Sequence, residues 1–199
     1  MQENIFLSSH FCLKEFTESA TARKHGIANE APPEAVENLR RLCEGCLEPL
    51  REAIGLPVIV TSGFRTKALN DKLAHASSTS QHMRGEAADF YVSESSRVQG
   101  CPSSESAHAR DNSSKLGSPL AQSQTSSVQG LSRRELLIKA FREILQDPKI
   151  DFDQLILYPS FIHVSFVSKE KNRRGILLAR SDGKLGYGRI TRANALLIE

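Results

Sequence analysis

Apolar positions recur at spacings of three and four through Val36, Leu39, Leu42, Cys43, Cys46, Leu47 and Leu50. This is the stripe of a helix with one face in a core. Pro32-Pro33 suits its start, because the first turn leaves N–H groups unpaired in any case. Gly55 supplies its stop. A second stripe, Leu136, Leu137, Ala140, Phe141, Ile144 and Leu145, follows Ser132, a residue suited to capping a helix that runs through Gln146. Elsewhere the period changes. Pro57–Thr61, Ala87–Val92, Gln154–Tyr158 and Ile162–Val167 are short apolar runs bounded by turn residues, the pattern of strands. Ser62-Gly63 breaks the first, and Pro159-Ser160 turns between the last two. Shorter helical pieces are predicted at Thr17–Lys24 and Lys67–Ala74. Helices interleaved with short strands and tight turns predict an α+β fold, a small antiparallel sheet flanked by helices.

One stretch has no such pattern. Residues 93–130 contain twelve serines and no aromatic residue among 38 positions. A segment this poor in apolar surface does not offset its ordering entropy. It is read as a disordered insertion within one domain spanning 1–199, because the cost of closing a loop grows slowly with its length.

Composition narrows the function classes. The chain of 199 residues has 26 basic and 23 acidic side chains, for a net charge of +3. That field is too mild to predict nucleic-acid binding. No apolar run reaches the ~18–20 residues of a membrane span, so no integral membrane segment is expected. The N-terminus MQENIFLSSHF lacks a basic start and an apolar core of the secretory kind. The expectation is a chain that is cytoplasmic as synthesised and reaches any target outside the membrane only after release. Four cysteines are too few for a disulfide scaffold. Cys43 and Cys46 fall on the apolar stripe and are read as small core residues.

The richest segment is Ser80-Gln81-His82-Met83-Arg84-Gly85-Glu86-Ala87-Ala88-Asp89. A histidine and an aspartate flank a glycine turn, and the aspartate sits in a strand. His163 lies inside another apolar strand. Two imidazoles and a carboxylate are a common catalytic zinc set, with the fourth position left to water. Taken alone, a histidine in an apolar strand is more often a satisfied core residue. Arg65, in Thr61-Ser62-Gly63-Phe64-Arg65-Thr66, offers a planar fork for a carboxylate, or a plain surface ion pair.

Ser80-x-His82-x-x-Gly85-x-Ala87-x-Asp89 with the later Ile162-His163-Val164 resembles the zinc peptidases of the M15 family. These are the D-alanyl-D-alanine carboxypeptidases and dipeptidases and the L-alanyl-D-glutamate endolysins. Thr61–Thr66 with Leu69-Asn70, Phe152–Ile156, and the N-terminal Leu7–Thr17 extend the likeness. The resemblance implies a Hedgehog/DD-peptidase-like fold. It also implies one zinc ion held by His82, Asp89 and His163, and a peptidoglycan stem peptide as substrate, cut at a D-amino acid. Arg65 would grip the substrate's carboxylate or carbonyl, and Ser80 would contact substrate or orient the ligand loop. Many members carry a glutamate three residues before the last histidine as general base, where this chain has Ser160. Asp153 is the first substitute base, ahead of Tyr158 and Glu86, and Asp153 could equally orient a histidine. The departure at Ser160 leaves a second reading open: a module of the same fold that binds zinc and cell-wall peptide without turnover.

Overall fold

The structure, a computed structural model, describes residues 5–74, 76–94, 130–179 and 187–198. Helices α1 (Leu13–Thr17), α2 (Ala20–His25), α3 (Pro33–Leu42) and α4 (Glu48–Ile54) precede strand β1 (Val58–Ser62). After α5 (Lys67–Asn70) and a 3-10 turn (Gln81–Arg84) come β2 (Ala87–Val92) and α6 (Arg133–Gln146). The chain closes with β3 (Gln154–Leu157), β4 (Ile162–Ser165), β5 (Gly175–Ala179), β6 (Tyr187–Arg189) and α7 (Arg192–Ala195). The strands form one sheet in the order β1-β2-β4-β3-β5-β6. Its pairs are antiparallel except β3 with β5, so the α+β expectation holds. Among the described residues no helix is long and apolar enough to cross a membrane.

Most predicted elements form, but the helical piece expected at Thr17–Lys24 is split by extended Glu18 and Ser19 into α1 and α2, and that at Lys67–Ala74 ends at Asn70. Ser132 accepts from the Glu135 N–H and Glu135 reaches back to the Ser132 N–H, a complete capping box on α6. Gly55 ends α4 with φ of 64°. Alternation on the strands sends Ala88, Phe90, Val92, Leu155, Leu157, Ile162 and Val164 into the core. There they meet Leu39, Leu42, Leu50, Leu137, Phe141 and Ile144 from the helices. The same alternation turns Asp89, Ile156 and His163 to the opposite face.

Three features were not in the pattern. The long helix over 33–54 is interrupted by a π-helical turn, Cys43–Leu47. Within it, Gly45 lies so close to the Phe166 ring that a Cβ would stand 2.7 Å from it. The Gly45 carbonyl accepts from the Asp151 N–H. Pro49, four residues beyond Gly45, has no N–H for that carbonyl and crowds it, so the ladder is broken locally and the Asp151 N–H answers the carbonyl that is left. Cys43 and Cys46 are buried and free, as expected of core residues, and burial pushes both thiols up. Strands β5 and β6 extend the sheet beyond the four strands that the pattern shows, and helix α7 follows them.

The serine-rich stretch 93–130 lies outside the described residues for positions 95–129, and so does His75. Its flanks are described. Glu94 Oε1 accepts from the N–H groups of Gly130 and Leu131, each at 3.1 Å. The chain therefore leaves and re-enters the fold at one place.

Gly85 links the fold to the site. It ends the 3-10 turn with φ of 72°, and a Cβ there would stand 2.3 Å from the Ala35 carbonyl oxygen of α3. Gly26 has a similar φ of 62° with nothing within 4 Å of a Cβ. Replacing Gly26 with alanine should cost about 1 kcal/mol, the left-handed term alone. Gly85→Ala should cost about 3 kcal/mol, because overpacking adds to that term. Urea denaturation of both variants checks the difference; equal losses would show that the approach to α3 is not limiting.

Candidate metal centre

Asp89 and His163 are brought together by strand register. They are direct partners across β2 and β4, where side chains on one face stand closest. His82 reaches the same point from the 3-10 turn, because Gly85 reverses the chain between the two segments. Three backbone and side-chain bonds fix that turn. The Arg65 N–H donates to the His82 carbonyl at 3.1 Å. His82 Nδ1 lies 2.7 Å from the Gly63 carbonyl oxygen, and Asn38 donates to the Arg84 carbonyl. With Nδ1 donating to Gly63, the lone pair of His82 Nε2 faces the cluster.

The three donor atoms form a triangle. His82 Nε2 is 3.3 Å from His163 Nδ1 and 3.4 Å from Asp89 Oδ1, and His163 Nδ1 is 2.8 Å from Asp89 Oδ1. Nitrogen and oxygen donors at zinc-ligand distances in a tetrahedral arrangement lie roughly 3.4 Å apart. Two of the three edges meet that value, and the third opens by a small rotation of an imidazole. The residues thus fit a zinc ion in donor chemistry and in spacing. Among the described residues this is the group of three that could hold a metal.

The electrostatics agree. Burial lowers the affinity of His82 for a proton, and His163 and Arg65 add to that against the pull of Asp89. A neutral imidazole is the ligating form. For Asp89, burial works against the charged form, but the two histidines outweigh it and hold the carboxyl well below the usual carboxylate range. Arg65 Nη2 also donates to Asp89 Oδ2 at 2.9 Å, while its Nε donates to Ser62 Oγ at 3.0 Å. Arg65 sits on a segment held by Asn29, which accepts from the Thr66 N–H and donates to the Phe64 carbonyl.

A cavity of about 1010 Å³ opens over the triangle. Arg65, Ser80, His82, Asp89, Asp153 and His163 all line it, with Tyr158 and Phe161 at one wall. The structure therefore places the proposed ligands, Arg65, Ser80, Asp153 and Tyr158 around one cavity, while Glu86, the third base named from the sequence, lies outside its lining. Their roles differ from one another. Asp153 is 1% exposed, and its carboxylate is taken up by Arg173, Gln81 and Ser165. Burial opposes its charge, but the bonds from Arg173 and Gln81 outweigh that and hold Asp153 below the ordinary range. Glu86 is paired with Arg84. Ser160 is exposed on the β3–β4 turn and lies outside the cavity lining. Tyr158 and Phe161 stack, with ring centroids 4.2 Å apart.

Sequence reading missed Gln81 and Arg173. Gln81 stands beside His82, which is a signal of position only. Arg173 belongs to a run of mixed sign that reads as a solvated surface, and its partner Asp153 is 20 residues away.

A sequence model of the family described as Peptidase M15 matches residues 9–114, more than half of the chain. The matched stretch contains Arg65, Ser80, His82 and Asp89 and ends before His163. No curated protein and no solved structure matches the chain.

His82→Ala and His163→Ala should each abolish zinc loading while leaving the far-ultraviolet circular dichroism intact. Elemental analysis after dialysis against zinc checks this, with one zinc per chain expected in the unaltered protein. Unchanged zinc in both variants would remove the assignment.

Proposed function

The chain belongs to the peptidase M15 family, and from that premise we propose that it is a zinc-dependent metallopeptidase of peptidoglycan stem peptides. The bond cut is at a D-amino acid, in the manner of a D-Ala-D-Ala carboxypeptidase or an endolysin-type endopeptidase. The observation that carries this reading is the triangle of His82 Nε2, Asp89 Oδ1 and His163 Nδ1, which meets at one end of a cavity beside Arg65. Zinc in that triangle would supply Lewis acidity and lower the pKa of a coordinated water to near ~7.

The chain's own residues supply the rest. Nε and Nη2 of Arg65 are engaged with Ser62 and Asp89, which fixes the plane of the guanidinium and leaves Nη1 for a substrate carboxylate or carbonyl. A donor held in this way is aimed before substrate arrives, and charge that develops on the scissile carbonyl meets it without reorganisation. Ser80 opens the ligand turn at the cavity wall and is proposed as a substrate contact. Gly63 holds His82 in one tautomer. For Asp153, the saturated carboxylate favours orientation of the histidine-bearing segments over proton transfer. Tyr158 is then the protic side chain on the metal face that is placed to serve the reacting groups. It lines the cavity together with Arg65.

Serine at position 160, in place of the glutamate that many members carry there, motivates a second reading, a module that binds zinc and cell-wall peptide without turnover. Digestion of purified peptidoglycan followed by mass spectrometry of the muropeptides separates the two. Loss of one alanine marks a carboxypeptidase, and release of a longer fragment marks an endopeptidase. Either change should stop with a chelator and return with zinc. Zinc binding with no new fragment at any pH would favour the module. Arg65→Ala should lower kcat/KM by about 100-fold or more, with one zinc still bound. An unchanged kcat/KM would remove Arg65 from the substrate side.

A further inference from the structure

We propose that the Arg173–Asp153 pair, acting through Gln81 and Ser165, is a positioning device. It holds the two histidine-bearing segments at ligand spacing before a metal arrives. The inference rests on the metal-centre reading above and ties to it Asp153, Ser165 and Arg173, which lie outside the residues that the family model matches.

Asp153 is the most buried acidic side chain described, at 1% exposure. A buried carboxylate persists only where its charge and its acceptor positions are both answered. Here the answers come from three separate parts of the chain. Arg173 donates from its backbone N–H and from Nε to Oδ1, each at 2.8 Å, and from Nη2 to Oδ2. Gln81 Nε2 donates to Oδ2 at 3.0 Å. Ser165 Oγ reaches Oδ2 at 3.5 Å, and accepts from the Gln154 N–H at 3.1 Å. Gln81 Oε1 in turn accepts from Arg173 Nη2 at 3.5 Å, so the three side chains close a ring of bonds.

The geometry of the partners gives this ring its meaning. Gln81 immediately precedes His82 and opens its 3-10 turn. Ser165 lies two residues beyond His163 in β4, so it stands on the same face of the sheet. One carboxylate therefore ties the turn that presents His82 to the strand that presents His163. Arg173 belongs to the loop between β4 and β5. Its side chain is 65% exposed and lines the cavity over the metal triangle. An arginine fork with two parallel bonds fixes the plane of the carboxylate, and through it the direction in which Gln81 is held.

A merely structural ion pair would stabilise the fold and leave metal binding alone, so the test separates the two. Gln81→Met removes the link to His82 and leaves the Asp153–Arg173 pair in place. Arg173→Lys keeps the charge and removes the fork. Each variant is compared with the unaltered protein by zinc titration in a competing chelator, by the visible spectrum of the cobalt-loaded protein, and by the Tm of the metal-free protein. The expected result for Gln81→Met is zinc affinity lower by roughly 10-fold or more and a shifted cobalt spectrum, with the metal-free Tm little changed. Arg173→Lys should fall between Gln81→Met and the unaltered protein. Zinc affinity and cobalt spectrum equal to the unaltered protein in both variants would overturn the proposal while leaving the metal centre standing. An unaltered protein that binds no zinc would overturn the metal-centre reading, and the inference with it.

Discussion

The carboxylate of Asp89 is the charge on which the site depends. It is shared by the imidazoles of His82 and His163 and by the guanidinium of Arg65, and it is almost withdrawn from water. An anion so placed is stable only while positive or polarised partners surround it. That requirement orders the rest. His82 must come over from the 3-10 turn, His163 must lie directly across the sheet, and Arg65 must cross from the segment after β1. Each partner also does a second thing: together they form a set of donors spaced for a metal, with an arginine beside it.

Rigid neighbours hold these partners. β2 and β4 carry Asp89 and His163 at facing positions of a sheet whose other side is buried in the core, so a slip of register by one residue would bury both. Gly85 lets α3 press on the ligand turn, and the Gly63 carbonyl fixes the orientation of His82. Beside the turn, the buried carboxylate of Asp153 and the largely exposed guanidinium of Arg173 form a second charge centre, linked to the ligand turn through Gln81. Two small clusters of charge, the metal triangle with Arg65 and the Asp153–Arg173 pair, line the same cavity. On the opposite face, Ala88, Phe90, Val92, Leu155, Leu157, Ile162 and Val164 pack into the apolar core. Segregation of this kind lets a sheet of six short strands carry polar chemistry without weakening its core.

Much of the fold was legible because periodicity is local. The stripes that face the core over 33–50 and 133–146, the capping box at Ser132 and the four inner strands follow from neighbouring residues. The π-helical turn at Cys43–Leu47 has a local cause in Pro49, which cannot donate to the Gly45 carbonyl, but the partners it meets there, Phe166 and Asp151, lie more than a hundred positions away. β5 pairs in parallel with β3 after a loop whose charges look like surface, and nothing within that loop reveals its buried partners.

The candidate site divides in the same way. From the sequence alone come the residue types, the His82-to-Asp89 spacing with its glycine, and the late histidine, because ligand chemistry depends on which side chains are present. A lone imidazole in an apolar strand has two readings, and only register decides between them by setting His163 opposite Asp89. The placing of Asp153 was also a tertiary matter. Its side chain is the right type for a base, but hydrogen bonds from Arg173, Gln81 and Ser165 occupy it. Which acceptors are already used is a property of packing, formed by residues that approach each other through space, and it leaves no mark on the order of residues along the chain.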